Sequence, residues 1–384
     1  MKKSDFNTDI LLEKSRKNDL ETPEKLTEAR PIVQNIKGYK YDIGLTSNGF
    51  NLLKNPAQSK RQRHKCIKPF IISVLPTAFQ PAFNKVFSKA FPQYTGNDKG
   101  SVILNGSVNY DNVFYKHLES LTFTKQLPDI LITSDFNSLY HRSCKDNLLN
   151  NANFETLNVP IHSIYSNTNI EHPSKLLGML ASDVLVMVVD KLKFGNKQLP
   201  REWYELLDPA LCNSVALCGD KDFFCNTVFY HYVKSYGLEG VKLLINNTLT
   251  RIHPKEMVHS INSGNDIGAS VYVMPYSYAR NIQNKFDYQT IWPDDGAMII
   301  PVQMLAKKGV YEKHNEVISF LTGESLGAEL EKHGFLATNP NTCKDYPGSE
   351  LNWIGWDFIE NSDLYKMKTK IRKLLSNKGH IAFV

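Results

Sequence analysis

Apolar positions along this chain repeat with two periods that take turns. Phe70-Ile-Ile-Ser-Val-Leu75, held between Pro69 and Pro76, is a short apolar run of the kind a buried parallel strand shows. Phe79, Phe83, Val86, Phe87 and Ala90 then follow at helical spacing, and Thr77 with Gln80 three residues on has the form of a capping box. The unit predicted is strand, tight turn, helix. It recurs as a strand over 101–109, a helix over 112–124 and a strand over 129–134. Alternation of this kind predicts a parallel sheet in an α/β lobe.

The second half continues the pattern. Residues 147–169 are rich in Asn and turn formers and read as loop, and Asp183-Val-Leu-Val-Met-Val-Val-Asp190 reads as a buried strand long enough to run from lobe to lobe. Leu199-Pro-Arg-Glu-Trp-Tyr-Glu-Leu-Leu-Asp-Pro209 opens a helix at a Pro and a Trp and leads into a strand over 214–218. The turn Gly219-Asp-Lys-Asp222 passes into a helix carrying Phe224, Val228, Tyr232 and Val233 and stopped by Gly237. A helix over 254–263 stops at Gly264, and a β-rich run from Gly268 to Met274 meets Pro275 and then Tyr276, Ser277, Tyr278, Ala279 and Arg280. Two further β-rich runs, Thr290–Pro293 and Ala297–Pro301, flank the acidic turn Asp294-Asp295-Gly296, as if the chain left one domain and re-entered another. Helices are predicted over 310–321 and 323–334, and a last amphipathic one lines up Leu364, Met367, Ile371, Leu374 and Leu375.

Several of these phrases resemble the two-lobed solute-binding proteins of ABC importers, in the iron, thiamine, spermidine and sugar-phosphate branch. They are Pro-Asp-Ile-Leu-Ile-Thr-Ser-Asp-Phe-Asn ending at Asn137, the run from Leu199 to Pro209, Ile261-Asn-Ser-Gly264, and the stretch from Gly264 to Pro301. Val317 to Gly327 and His333 to Pro340 match the helix pair and loop by which such proteins finish, so the resemblance covers about 66–375. It implies a type II periplasmic-binding-protein-like α/β fold, with lobe 1 from 66–182 and 300–384 and lobe 2 from 183–299, crossover strands at both ends. Ligand would then meet Thr77, Ser134, Asp135 and Asn137 from lobe 1, and Asp220, Lys221, Tyr276, Tyr278 and Arg280 from lobe 2. Helix starts at the carboxyl ends of central strands point unpaired N–H groups into such a cleft. Ser134 or Asp135 could equally cap a helix beginning near Phe136, and Asp220, Lys221 and Asp222 could cap and neutralise one another.

Residues 1–65 are more polar, and the expectation is a small, mostly helical extension. With 384 residues, 42% hydrophobic and 22% charged, two medium cores are affordable, and no run approaches the roughly 18 apolar residues of a membrane span. The net charge of +6 is modest and partly local, as in Lys60-Arg-Gln-Arg-His-Lys65, and no nucleic-acid-binding spacing is present. Six cysteines lie scattered without CxxC pairs, the pattern of idle or buried thiols. The opening residues lack an apolar signal segment, so the sequence as it stands reads as cytoplasmic, whereas the resemblance implies an extracytoplasmic protein.

Site chemistry is left with alternatives. The iron-binding relatives use adjacent tyrosinates, hard oxygens suited to ferric iron. Here Tyr276 and Tyr278 are separated by Ser277; as strand residues they would point the same way, as helical ones they would not. Arg280 and the helix starts near Thr77, Ser134 and Asp222 suit an anion, while Asp294 and Asp295 suit a cation such as an amine. No GxSxG, HExxH, P-loop or GxGxxG carries an enzyme reading, and the cysteines at 212, 218 and 225 have no recognised zinc spacing. The expectation is a monomeric, non-enzymatic binder of an anion, an organic molecule or ferric iron, without a resident cofactor, serving importer membrane subunits or acting as a sensor or carrier.

Overall fold

A computed structural model describes residues 70–76, 78–94, 127–149, 153–219, 225–342 and 346–378, with Leu118 and the strand backbones at 32–34, 40–46, 49–54 and 101–105. Near the N-terminus β1 (Ile32–Gln34), β2 (Lys40–Thr46) and β3 (Gly49–Lys54) form an antiparallel sheet in that order. The mostly helical extension expected over 1–65 has strands in its described stretches, and the rest of it lies outside the described residues. The period-two signal is present once sought: Tyr41, Ile43 and Leu45 alternate with polar or small residues, and Asn48-Gly49 is a hairpin signal.

The main sheet begins with β4 (Ile71–Leu75), followed by α1 (Gln80–Ala90), β5 (Ser101–Asn105) and β6 (Ile130–Ser134). Both β5 and β6 pair parallel to β4. The first turn of α1 carries Pro81, whose fixed φ suits that position, and Phe79 is the N-cap with no side-chain capping bond. The helix thus starts later than the Thr77 capping box implied. Thr77 itself, and the helix expected over 112–124 except Leu118, lie outside the described residues.

Next come β7 (Gly178–Asp190), β8 (Val215–Cys218), α2 (Asn226–Asn247), β9 (Thr248–Ile252), α3 (Pro254–Ser263) and β10 (Val271–Pro275). The helical signals at Gly237 and Gly264 hold in part. Gly264 ends α3 in the left-handed conformation, but α2 runs on past Gly237, which interrupts it with φ +65°. The phrase 199–209 forms two short 3-10 turns, Trp203–Leu207 and Pro209–Leu211, rather than one helix, because Pro209 lacks the N–H a continuing helix needs. A helical turn, α4 (Tyr276–Ala279), leads to β11 (Tyr288–Ile291) and β12 (Ala297–Ala306). The chain closes with α5 (Val310–Leu321), α6 (Glu324–Lys332), β13 (Leu336–Ala337), β14 (Leu351–Asn352), α7 (Trp356–Asn361) and α8 (Leu364–Asn377).

The strand order β5-β4-β6-β12-β7-β10-β8-β9 contains two parallel halves, β5-β4-β6 and β10-β8-β9. Between them lie the two longest strands, fully buried and antiparallel to each other and to their neighbours β6 and β10. β7 pairs β12 from Gly178 to Leu185 and then β10 from Leu185 to Val189, so one strand belongs to both halves. β11 continues the line of β12 along the same strand. The arrangement is a two-lobed α/β fold, and β7 and β12 are its crossovers.

Two apolar cores flank the sheet. On one side α1, α5 and α6 cover β4 and β6 through Phe83, Phe87, Val317, Ile318 and Leu326. On the other, Phe136, Tyr140, Tyr230, Trp353 and Trp356 join α2, α7 and α8 in the larger cluster. The closing helix α8, which the sequence reading placed with 300–384 in lobe 1, packs its Leu364, Ile371 and Leu375 in the same core as Val241 and Leu244 of α2.

Candidate functional site

The parallel strands of both halves point their carboxyl ends at the crossovers: β6 ends at Ser134 beside Val302 of β12, and β10 ends at Pro275 beside Leu185 of β7. Loops from both halves therefore meet there, the usual place for a ligand in open α/β sheets.

From the first half comes Asp135. Its φ of +57° lies in the left-handed region, which Asp tolerates better than most side chains, and this turns the carboxylate out of the line of β6. Only 3% of the residue is exposed. Oδ1 accepts from its neighbour's backbone, Phe136 N–H, at 2.7 Å and from Thr227 Oγ1–H at 2.7 Å, while Asn226 Nδ2 donates to Phe136 O at 3.0 Å and to Oδ2 at 3.4 Å. Thr227 and Asn226 open α2 in the second half, where unpaired N–H groups and the helix dipole favour negative charge. Burial raises the Asp135 carboxyl above its ordinary range; the bonds from Thr227, Phe136 and Asn226 and the charge of the buried Lys368 on α8 pull it back.

The second meeting lies at α4. Ser277 Oγ–H donates to Asp183 Oδ2 at 2.5 Å, and Ser277 N–H to Oδ1 at 3.2 Å, tying the turn after β10 to the midpoint of β7. Burial lifts Asp183 to about 6, with those bonds opposing it. One turn on, Arg280 Nη1 donates to Lys332 O at 3.0 Å and Glu331 O at 3.2 Å, a cation on the carbonyl end of α6. Gly334 lies directly beneath: a Cβ there would be 2.7 Å from Arg280 Cδ and 3.0 Å from Ser277 Cα.

The residues expected from sequence fare unequally. Ser134 is buried with its hydroxyl 3.5 Å from Val74 O, a weak bond. Asn137, rather than Ser134 or Asp135, is the cap: its Oδ1 accepts from Leu139 N–H at 2.9 Å and its Nδ2 donates to Ser134 O at 3.1 Å. Thr77, Asp220, Lys221 and Asp222 lie outside the described residues, and α2 begins at Asn226. Tyr276 meets Trp292 edge-on and Tyr278 meets His253 edge-on, so the helical turn sends the two phenols to different neighbours. As neighbours two apart on a helical turn, the two phenols leave the backbone in different directions. Asp294 and Asp295 are likewise engaged, the first with Arg201 at 2.7 and 3.0 Å, the second accepting from Trp203 N–H at 3.1 Å. Among the described residues no group of three His, Cys, Asp or Glu is placed to hold a metal ion, and no helix is long and apolar enough to cross a membrane.

Sequence reading missed Asp183, Thr227, Asn226 and Ser277. Asp183 had one visible signal, a carboxylate opening an unbroken apolar strand, where only a bonded charge is tolerated.

Two parallel half-sheets bridged by long crossover strands, with polar groups gathered where their ends meet, define a two-lobed ligand-binding protein. The chain belongs to the bacterial extracellular solute-binding protein family, whose profile matches residues 125–362. That is a family of binders, not of enzymes. Among solved structures it is similar to the periplasmic binding protein P5PA (TM-score 0.55, 15% identity, covering 80% of this chain and 98% of that one). It is also similar to the fructose-6-phosphate-bound AfuA of Actinobacillus pleuropneumoniae (0.53, 14%, 80% and 96%) and the ferric binding protein of Campylobacter jejuni (0.54, 12%, 80% and 98%). At such identities the likeness shows the fold. No curated protein sequence matches.

Proposed function

We propose that this chain captures a small organic solute in the cleft between lobe 1 (66–182 and the chain from 300) and lobe 2 (183–299), as a monomer outside the cytoplasm, and delivers it to importer membrane subunits. The observation that carries this is the convergence of β6 and β10 on the crossovers, with Asp135 bonded to the start of α2 and Arg280 of α4 bonded to the end of α6, each across to the other half. Tyr276 and Tyr278, both half-buried, would line the cleft beside Trp292 and His253. Neighbours of the same fold bind a sugar phosphate in one case and ferric iron in another. The separation of the two phenols favours an organic solute over iron.

The test is a thermal-shift screen of the purified protein against sugar phosphates, carboxylates, polyamines, thiamine compounds and ferric iron. A solute present at a hundred times its Kd stabilises by about 2.7 kcal/mol. Expected is a rise in Tm with an organic compound and none with iron. If ferric iron instead produced a visible phenolate band that Tyr276→Phe and Tyr278→Phe each abolished, iron would be the cargo.

A further inference from the structure

We propose that Asp135 is a built-in latch: the carboxylate of lobe 1 seats on the first turn of α2 in lobe 2 and holds the lobes together by bonds that need no guest. The inference rests on the two-lobed reading above.

Four features support it. The contact spans 92 positions of sequence and joins the carboxyl end of one half-sheet to the helix start of the other. Asp135, Asn226 and Thr227 are all buried, so the bonds are made away from competing water. The carboxylate is bonded by the side chains of the first two residues of α2, at the helix end where the dipole favours an anion. The left-handed backbone at Asp135 aims the group there, a conformation retained at some cost in strain.

Titratable groups face Asp135 from three packed elements. Lys368 approaches from α8. Cys218 at the end of β8 and Tyr230 of α2 also feel its charge. Among the described residues Lys368 is the cation whose charge acts on Asp135, so truncating the aspartate would leave that ammonium less compensated and loosen the same junction.

A guest must therefore compete with an internal anion, and lobe opening begins with breaking the Asp135–Thr227 and Asp135–Asn226 bonds.

Small-angle scattering of the full chain tests this without labels. Asp135→Ala removes the carboxylate; Thr227→Val removes the hydroxyl on the opposite lobe and leaves the αL backbone untouched. Gly334→Trp drives a wedge between the turn after α6 in lobe 1 and α4 in lobe 2, where a Cβ would already lie 3.0 Å from Ser277 Cα, and reports whether the lobes can part at all. Cooperative thermal melts establish that each variant is folded. Expected are larger radii of gyration than wild type for both latch variants, towards that of the wedge variant. A wedge variant that expands while both latch variants scatter as wild type does would overturn the latch alone. If even the folded wedge variant keeps the wild-type radius, the lobes do not separate, and the latch fails together with the two-lobe closure on which it rests.

Discussion

Asp183 shows how much one side chain at a crossover can matter. It is a carboxylate in the middle of β7, 2% exposed, with three hydrogen bonds from Val184 N–H, Ser277 N–H and Ser277 Oγ–H. Desolvation wins over those bonds and raises the group to about 6. Because the folded-state value lies above the unfolded one, the folded protein holds the proton more tightly. This contribution to stability is complete below about 4 and is lost as pH rises through about 6. Asp295 titrates in the same region, so total stability against pH mixes the two. The difference between wild type and Asp183→Asn isolates one: relative to the variant, wild type should lose stability between pH 4.5 and 7.5. Calorimetric melts at several pH values check it, and a difference that does not change with pH would refute it. Trp203 makes a second case. It is 1% exposed, and its Nε1–H donates to Gly296 O at 2.8 Å. Trp203→Phe keeps most of the apolar contact and strands that carbonyl, at an expected cost of about 1–3 kcal/mol in denaturant melts.

At the scale of elements, the turn from β11 into β12 bears the tightest backbone constraint near the crossovers. Gly296 has φ +93°, and a Cβ there would sit 2.8 Å from Leu351 C and 2.9 Å from Asn352 N on β14. Both neighbours are backbone, so neither can rotate away. Gly296→Ala should therefore destabilise by roughly 1–3 kcal/mol, read as a lower Tm, through strain at positive φ added to the clash. The acidic turn was legible because Asp-Asp-Gly between two β-rich runs is turn chemistry; that β14 would run beneath it was not. At α4 the sequence left two readings open. Tyr276, Ser277 and Tyr278 after a strand could continue it or curl, and a four-residue stretch holds too few positions for its period to decide.

For the whole molecule, the two halves touch through polar contacts at several points besides the shared strands. Arg280 reaches from α4 to the carbonyl end of α6, and Asp135 reaches from β6 to the start of α2. Arg280→Ala should lower stability by about 0.3–1 kcal/mol, since the cation is exposed and its interaction with the helix end is screened; denaturant melts at low and high salt should show the loss shrinking as salt rises. The aromatic cluster of Phe136, Tyr230 and Trp353 spans both halves on the α2 side.

The sequence by itself determined most of the elements and the alternation that makes an α/β sheet. Apolar periodicity is local, and strands such as 71–75, 130–134 and 215–218 and helices such as 254–263 carry it within their own residues. It also carried the resemblance to solute-binding proteins. Tertiary structure alone decided which polar groups meet. Asp135 finds Thr227, Asp183 finds Ser277, and Arg280 finds Lys332 across 92, 94 and 52 positions. Those distances in sequence are closed by the register of β6 on β12, β12 on β7 and β7 on β10, a pairing that no local period encodes.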